Sequence, residues 1–239
     1  MSAIERVLLE PSYVLHGRAY RETSVLLEVM SRDHGRVSLV ARGVRRPRSR
    51  LRALLQPFRP LLLSWSGRAG GLMTLGAAEP AAVPLDLAGE RLMSGFYLNE
   101  LLLRFLHRGD PHPQVFGAYA QALACLGDGA AAGPVLRGFE MQLLAEAGYG
   151  LNLDHDAQSG LPLDPDGRYR YVVERGPVVA DDADDDTTFR GTELLAIGRG
   201  EFDGADAVAS ARRLLRAVLD HHLGGQPLQT RRVVRAMRR

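Results

Sequence analysis

Apolar and polar positions alternate with a period of two in the first eighty residues, the spacing of half-buried strands. Residues 12–20 read as one strand and residues 24–30 as a second, where Val25, Leu27 and Val29 interleave with Leu26 and Glu28. Residues 36–41 give a third, with Val37, Leu39 and Ala41 on one face. Residues 60–65 and 72–77 give the fourth and fifth. Turn residues separate them: Asp33-His34-Gly35, Ser66-Gly67 and Gly70-Gly71. Between the third and fourth strands, residues 45–56 are too polar and basic for a strand, so a short helix or ordered loop is expected there. Five short strands with an insert after the third predict a small OB-type Greek-key barrel.

The pattern changes after Glu79. Pro80 and Pro84 mark a linker, and apolar residues then recur at helical spacing over 89–107, 113–126 and 134–147. Gly148-Tyr149-Gly150 stops the last of these, because glycine past a helix end accepts the left-handed turn. Residues 151–190 are irregular and acidic, with a small hairpin expected from 168–173 and 176–180. Helical spacing returns at 191–197, 205–223 and 229–237. The expected architecture is therefore an α+β multidomain chain. Residues 1–80 form an OB-fold β-barrel, and residues 81–239 a mainly α-helical domain with an irregular, partly β insertion at about 151–190.

Composition narrows the chemistry. The lone cysteine, Cys125, excludes an intramolecular disulfide and a multi-cysteine zinc site. No secretory leader is recognisable, and no apolar run reaches the roughly 18 residues a membrane span needs. The composition is compatible with a reducing cytoplasm, and no membrane is expected among the partners. The net charge of +2 conceals a strong asymmetry. Residues 1–80 hold 13 Arg against 6 acids, residues 151–186 hold 3 against 10, and residues 187–239 hold 10 against 5. Every Lys/Arg position is Arg. A GC-rich genome accounts for that preference, yet each guanidinium still forks onto phosphate and stacks on bases.

The densest cluster is 36–52, with Arg36, Arg42, Arg45, Arg46, Arg48, Arg50, Arg52 and no acid. Such a cluster repels itself unless it faces solvent or an anion, and a nucleic-acid backbone is the natural anion for a barrel of this type. Ser49 can add a hydroxyl contact to phosphate. Tyr20, Phe58 and Trp65 are the nearby aromatics for base stacking, against the alternative that they are core, which is the expectation for Phe58. Arg231, Arg235 and Arg238 fall at i, i+4 and i+7, a second basic stripe with Val233, Val234 and Met237 expected beneath it. Arg137 is the sole Arg between 108 and 168 and lies among apolar residues. It suits either a peptide carboxylate or a local pair with Glu140. The acidic run at 181–186 and the Asp154-His155-Asp156 triplet lack the spacing of a calcium loop or a zinc site, so no metal and no cofactor are expected. No phosphate loop, nucleophile elbow, HExxH or dinucleotide fingerprint occurs, and the chain is not expected to be an enzyme. An RNA- or ribosome-associated OB protein and a nuclease using the Asp run are the competing readings.

These runs, taken in order, resemble the bacterial RecO family of DNA repair and recombination proteins. The matching segments are Tyr13-Val14-Leu15-His16, Tyr20-Arg21-Glu22-Thr23-Ser24, His34-Gly35-Arg36-Val37, Ala41-Arg42-Gly43-Val44-Arg45, Ser49-Arg50-Leu51, Leu55-Gln56-Pro57-Phe58 and Ala78-Glu79. Tyr97-Leu98-Asn99-Glu100-Leu101, Leu136-Arg137-Gly138-Phe139-Glu140, Gly148-Tyr149-Gly150 and Gly225-Gln226-Pro227-Leu228 continue the series. The resemblance implies an OB domain followed by helices. It implies binding of single- and double-stranded DNA, annealing of complementary strands, and help for RecA in replacing the single-strand-binding protein, SSB. RecR and the acidic, apolar C-terminal tail of SSB are the implied partners, and nucleoid association follows. Arg42, Arg45, Arg48 and Arg50 match basic positions of the family's first motif, and Arg137 falls in its helical motif, an expected contact for the SSB tail. Some members carry a four-cysteine zinc finger after the Gly-Tyr-Gly turn; residues 152–166 here contain no cysteine, so none is expected.

Overall fold

The computed structural model describes residues 4–68, 71–180 and 185–237. Two compact units divide at residues 128 and 129.

In the first unit, β1 (Ile4–Tyr20), β2 (Ser24–Ser31), β3 (Gly35–Ala41), β4 (Leu61–Arg68) and β5 (Met73–Pro80) close a barrel in the order β1-β2-β3-β5-β4. Only β3 and β5 run parallel, through Leu39 and Val40 opposite Met73 and Thr74. This is the five-stranded OB arrangement. β1 begins eight residues before the strand expected from the sequence. Its first half pairs with β4 and its second half with β2, with an irregularity between Val7 and Glu10 where Leu9 takes φ +51°. Glu5, Arg6, Glu10 and Pro11 interrupt the apolar alternation there, which hides the strand from a periodicity argument.

The inward side chains are the alternating ones: Val14, Leu27, Val29, Leu39, Ala41, Leu61, Leu63 and Trp65 form one core. The five-residue helix α1 (Arg50–Leu54) follows a series of turns. Val44 and Leu55 are buried in the barrel core, and Leu51 and Leu54 pack against it.

Two helices complete this unit, α2 (Gly89–Phe105) and α3 (Pro113–Gly127). Asn99 of α2 donates to the Leu15 carbonyl at 2.8 Å, and Tyr119 of α3 donates to the Asn99 side chain at 2.5 Å. Burial pushes the Tyr119 phenol well above its usual pKa, so it stays a donor. Gly35, at φ +63°, has no room for a Cβ because the Asp110 backbone lies against it. On the other face of β3, Arg36 donates to the Leu103 carbonyl of α2, so that face is partly covered.

The second unit holds α4 (Ala132–Glu146), β6 (Arg168–Val172), β7 (Gly176–Val179), β8 (Thr188–Arg190), α5 (Gly191–Gly198), α6 (Ala205–His222) and α7 (Gln229–Met237). A Cβ at Gly133 would stand 2.8 Å from Val208 Cγ1, so glycine permits the close approach of α4 and α6. Phe139, Leu143, Leu194, Leu214, Leu215, Val218 and Leu219 are buried in this unit. The short β8 adds to β6 on the side away from β7, giving the order β7-β6-β8.

The cysteine-free stretch before β6 is fastened by one carboxylate. Asp156 is buried, and its oxygens accept the backbone N–H groups of Gln158, Ser159 and Val179 and the Ser159 hydroxyl. Those bonds hold its pKa below the ordinary aspartate value. No described helix is long and apolar enough to cross a membrane.

Candidate nucleic-acid interface

Arg42, Arg45, Arg46, Arg48, Arg50 and Arg52 are all exposed. Among the described residues, none of the six has a carboxylate within salt-bridge distance. Their backbone is nevertheless ordered by successive turns. Arg46 N–H donates to the Gly43 carbonyl at 3.1 Å, Ser49 to Arg46 at 3.2 Å, and Arg52 to Ser49 at 3.2 Å. Arg45 N–H donates to Thr23 of the β1–β2 turn at 2.9 Å, and its guanidinium reaches the Arg21 carbonyl at 3.3 Å. Two of the exposed arginines, Arg21 and Arg48, occupy left-handed backbone at φ +52° and +63°. Ser49 is half-buried at the N-terminus of α1, and its side chain makes no capping bond. The segment thus holds six cations on fixed backbone, anchored beneath by Val44 and Leu55.

A polar groove of about 420 Å³ opens beside it, lined by Tyr20, Arg21, Thr23, Arg42, Arg46 and Thr74. Tyr20 is half-buried, with the Arg21 guanidinium 5.3 Å from its ring centre. Arg21 and the two threonines were not singled out from the sequence. The signal was their position in turns and strands that the barrel topology brings next to Arg42.

Two expected contacts, Trp65 and Arg36, need correction. Trp65 is 2% exposed and is core, in edge contact with His34 at 5.5 Å. It continues the inward series Leu61, Leu63, Trp65, a spacing visible in the sequence. Phe58 is core, the reading favoured for it from the sequence, and meets Phe96 edge-on at 5.0 Å. The Arg36 side chain is only 14% exposed. It donates to the Leu103 carbonyl of α2 and lies 3.8 Å from Glu28, which also binds Arg108 at 2.7 Å. Burial lowers the Arg36 pKa. Its place on the outer face of β3 would have exposed it had α2 not covered that face.

In the second unit, Arg137 is 7% exposed and forms an ion pair with the fully buried Glu140. The local pair with Glu140 is thus present, and the Arg137 Nε is buried without a hydrogen-bond partner among the described residues. Arg231 donates to Asp220 at 2.6 Å, while Arg235 is exposed. Val233 and Met237 are exposed, so they do not pack beneath the stripe as expected. Arg238 and most of the acidic run lie outside the described residues. Asp185 accepts from the Thr187 backbone and hydroxyl at 2.8 and 2.6 Å, an ordinary turn contact.

The second unit also carries a groove of about 1020 Å³ that sequence spacing did not suggest. Its walls include Gly133, Phe202, Ala205 and Val208, with Arg212, Arg213 and Arg216 at its rim. Arg213 is held by the Thr188 carbonyl at 2.9 Å and over the Phe189 ring at 4.1 Å. Arg216 lies 3.5 Å from Asp220, and Arg212 is exposed.

Comparison with known proteins agrees with this geometry. The family described as "Recombination protein O N terminal" matches residues 7–83, and "Recombination protein O C terminal" matches residues 87–232. "DNA repair protein RecO" of Aromatoleum aromaticum is 47% identical over 238 residues, covering 99% of both chains. The protein of that name from Azoarcus sp. is 47% identical over 241 residues, again with 99% of both covered. That of Nitrosospira multiformis is 43% identical over 233 residues, 97% of this chain and 96% of its own. An OB barrel bearing exposed arginines, followed by helices and matched along nearly its whole length, places this chain in the RecO family of DNA repair proteins.

Proposed function

We propose that this protein is a recombination mediator that works by binding and not by catalysis. It holds single- and double-stranded DNA, brings complementary strands together, and with RecR helps RecA replace SSB. One observation carries the reading: the six exposed arginines at 42, 45, 46, 48, 50 and 52 have no carboxylate partner among the described residues and stand on ordered backbone.

The mechanism is electrostatic. Two strands approaching each other carry like charge, and arginines lying between them displace counterions from both. Tyr20 at the rim of the polar groove offers a ring face to a base, a contact that tolerates any sequence. Residues 1–80 would carry the nucleic acid, and residues 81–239 the partner proteins. For the acidic, apolar tail of SSB, the groove flanked by Arg212 and Arg216 is better suited than the buried Arg137. Such a role places the protein in the bacterial cytoplasm, at the nucleoid.

Annealing of complementary strands coated with intact or tail-deleted SSB tests the proposal. Annealing is expected with intact SSB and to weaken when the tail is missing. Annealing that is absent with naked strands as well would overturn it. A preference for RNA over DNA of the same sequence would favour an RNA-binding role instead.

A further inference from the structure

Two histidines close α6, His221 and His222, and both face Glu174 in the turn between β6 and β7. We propose that Glu174, His221 and His222 form a binding site for a divalent transition-metal ion of the zinc class.

His221 Nε2 lies 3.2 Å from Glu174 Oε1. Ligand bonds of about 2.0–2.1 Å in a tetrahedron set donor atoms roughly 3.4 Å apart. The Glu174–His221 pair therefore already has the spacing of two ligands on one ion. One ligand atom from each of the three residues falls within 4.8 Å of the others. Completing the site thus requires shifts of at most about 1.4 Å, which side-chain rotation in partly exposed residues supplies. Two imidazoles and one carboxylate form a donor set typical of zinc and leave a fourth position for water or an outside ligand.

Three features orient the donors before an ion arrives. The His222 ring is stacked on Tyr149 at 3.9 Å with a 23° tilt, which fixes its plane. His221 meets His222 edge-on, with ring centres 5.2 Å apart and planes at 88°. Glu174 holds left-handed backbone at φ +68°, uncommon for a residue with a Cβ, and this turns its carboxylate toward the helix end. The helix C-terminus adds its own negative potential, which favours a cation. Sequence spacing gave no hint, because 47 residues separate Glu174 from His221. A bound ion would clip the β6–β7 hairpin to the end of α6.

Metal titration of the untagged full-length protein, stripped with chelator, tests the site. Calorimetry with Zn2+ and Ni2+ and absorption with Co2+ should report one ion per chain at micromolar metal. His221→Ala and His222→Ala should each weaken binding at least about tenfold. His155→Ala should leave it unchanged, although His155 also sits beside a carboxylate, Asp154, at 2.9 Å. If either histidine variant fails to fold, Zn2+ should still raise the Tm of the wild-type protein, and bound Co2+ should show four-coordinate absorption. No saturable binding by the wild type, or undiminished binding in both histidine variants, would overturn the assignment.

Discussion

The arginines of the β3–β4 connection and those of the second unit look alike in sequence but differ in what surrounds them. Residues 36–52 hold no acid, and six of the seven guanidinium groups end in solvent. In the second unit, Asp220 serves both Arg216 and Arg231, Glu140 neutralises Arg137, and Arg213 is held by a carbonyl and a ring. Arginine content is therefore a poor guide to a polyanion site. The local supply of acceptors decides whether a cation is spent inside the protein or left for a ligand. Arg36 makes the point within the first region, since a single covering helix takes it out of the exposed set.

The sharpest way to break this contrast is to exchange the consequences. Arg137→Ala removes the ion-pair partner of the buried Glu140 carboxylate and should cost about 3–5 kcal/mol of stability, with an unchanged salt slope of DNA binding. Arg45→Ala should do the reverse, leaving urea unfolding within about 0.5 kcal/mol of wild type while weakening DNA. Equal stability losses in the two variants would erase the distinction. A step smaller, Tyr20→Ala should lower single-strand affinity by about 1–3 kcal/mol if one base stacks there. Its salt slope should stay that of the wild type, which separates stacking from charge.

A third test uses acid. The Asp156 pKa is lowered in the folded protein, so its stabilising effect is present above the unfolded aspartate pKa of about 3.9 and fades as pH falls through the lower folded value. Asp156→Asn should be less stable than wild type at pH 7. The gap should narrow as pH drops below about 4 in unfolding scans. The smallest effect belongs to the C-terminal stripe. Arg235→Ala should reduce the slope of log affinity against log salt by no more than about 0.7. Arg231→Ala, already paired with Asp220, should change it less.

Most of the fold was readable because alternation and helical spacing report burial directly. Leu27 and Val29, Leu39 and Ala41, and Leu214, Leu215 and Val218 face cores where their periods place them. What periodicity could not show depends on contacts distant in sequence. β8 is three residues long and exists through its pairing with β6. The opening half of β1 carries charges and a proline, yet β4 supplies its ladder. The candidate site was half legible. The exposed arginines stood out by composition, whereas the burial of Arg36 depends on α2, some 67 residues on at Leu103. Arg21 and Thr74 reach the polar groove only once the barrel closes. Trp65 is core, as its i+2 spacing from Leu63 implies.

The most direct test of the central claim is the salt dependence of single-stranded DNA binding by the wild type and by a variant with Arg42, Arg45, Arg46 and Arg48 all changed to Ala. Four lost phosphate contacts should flatten the slope of log affinity against log salt by roughly 3 and reduce affinity near 0.1 M salt by about a thousandfold, with the Tm preserved. A variant that folds and keeps the wild-type slope would contradict the account.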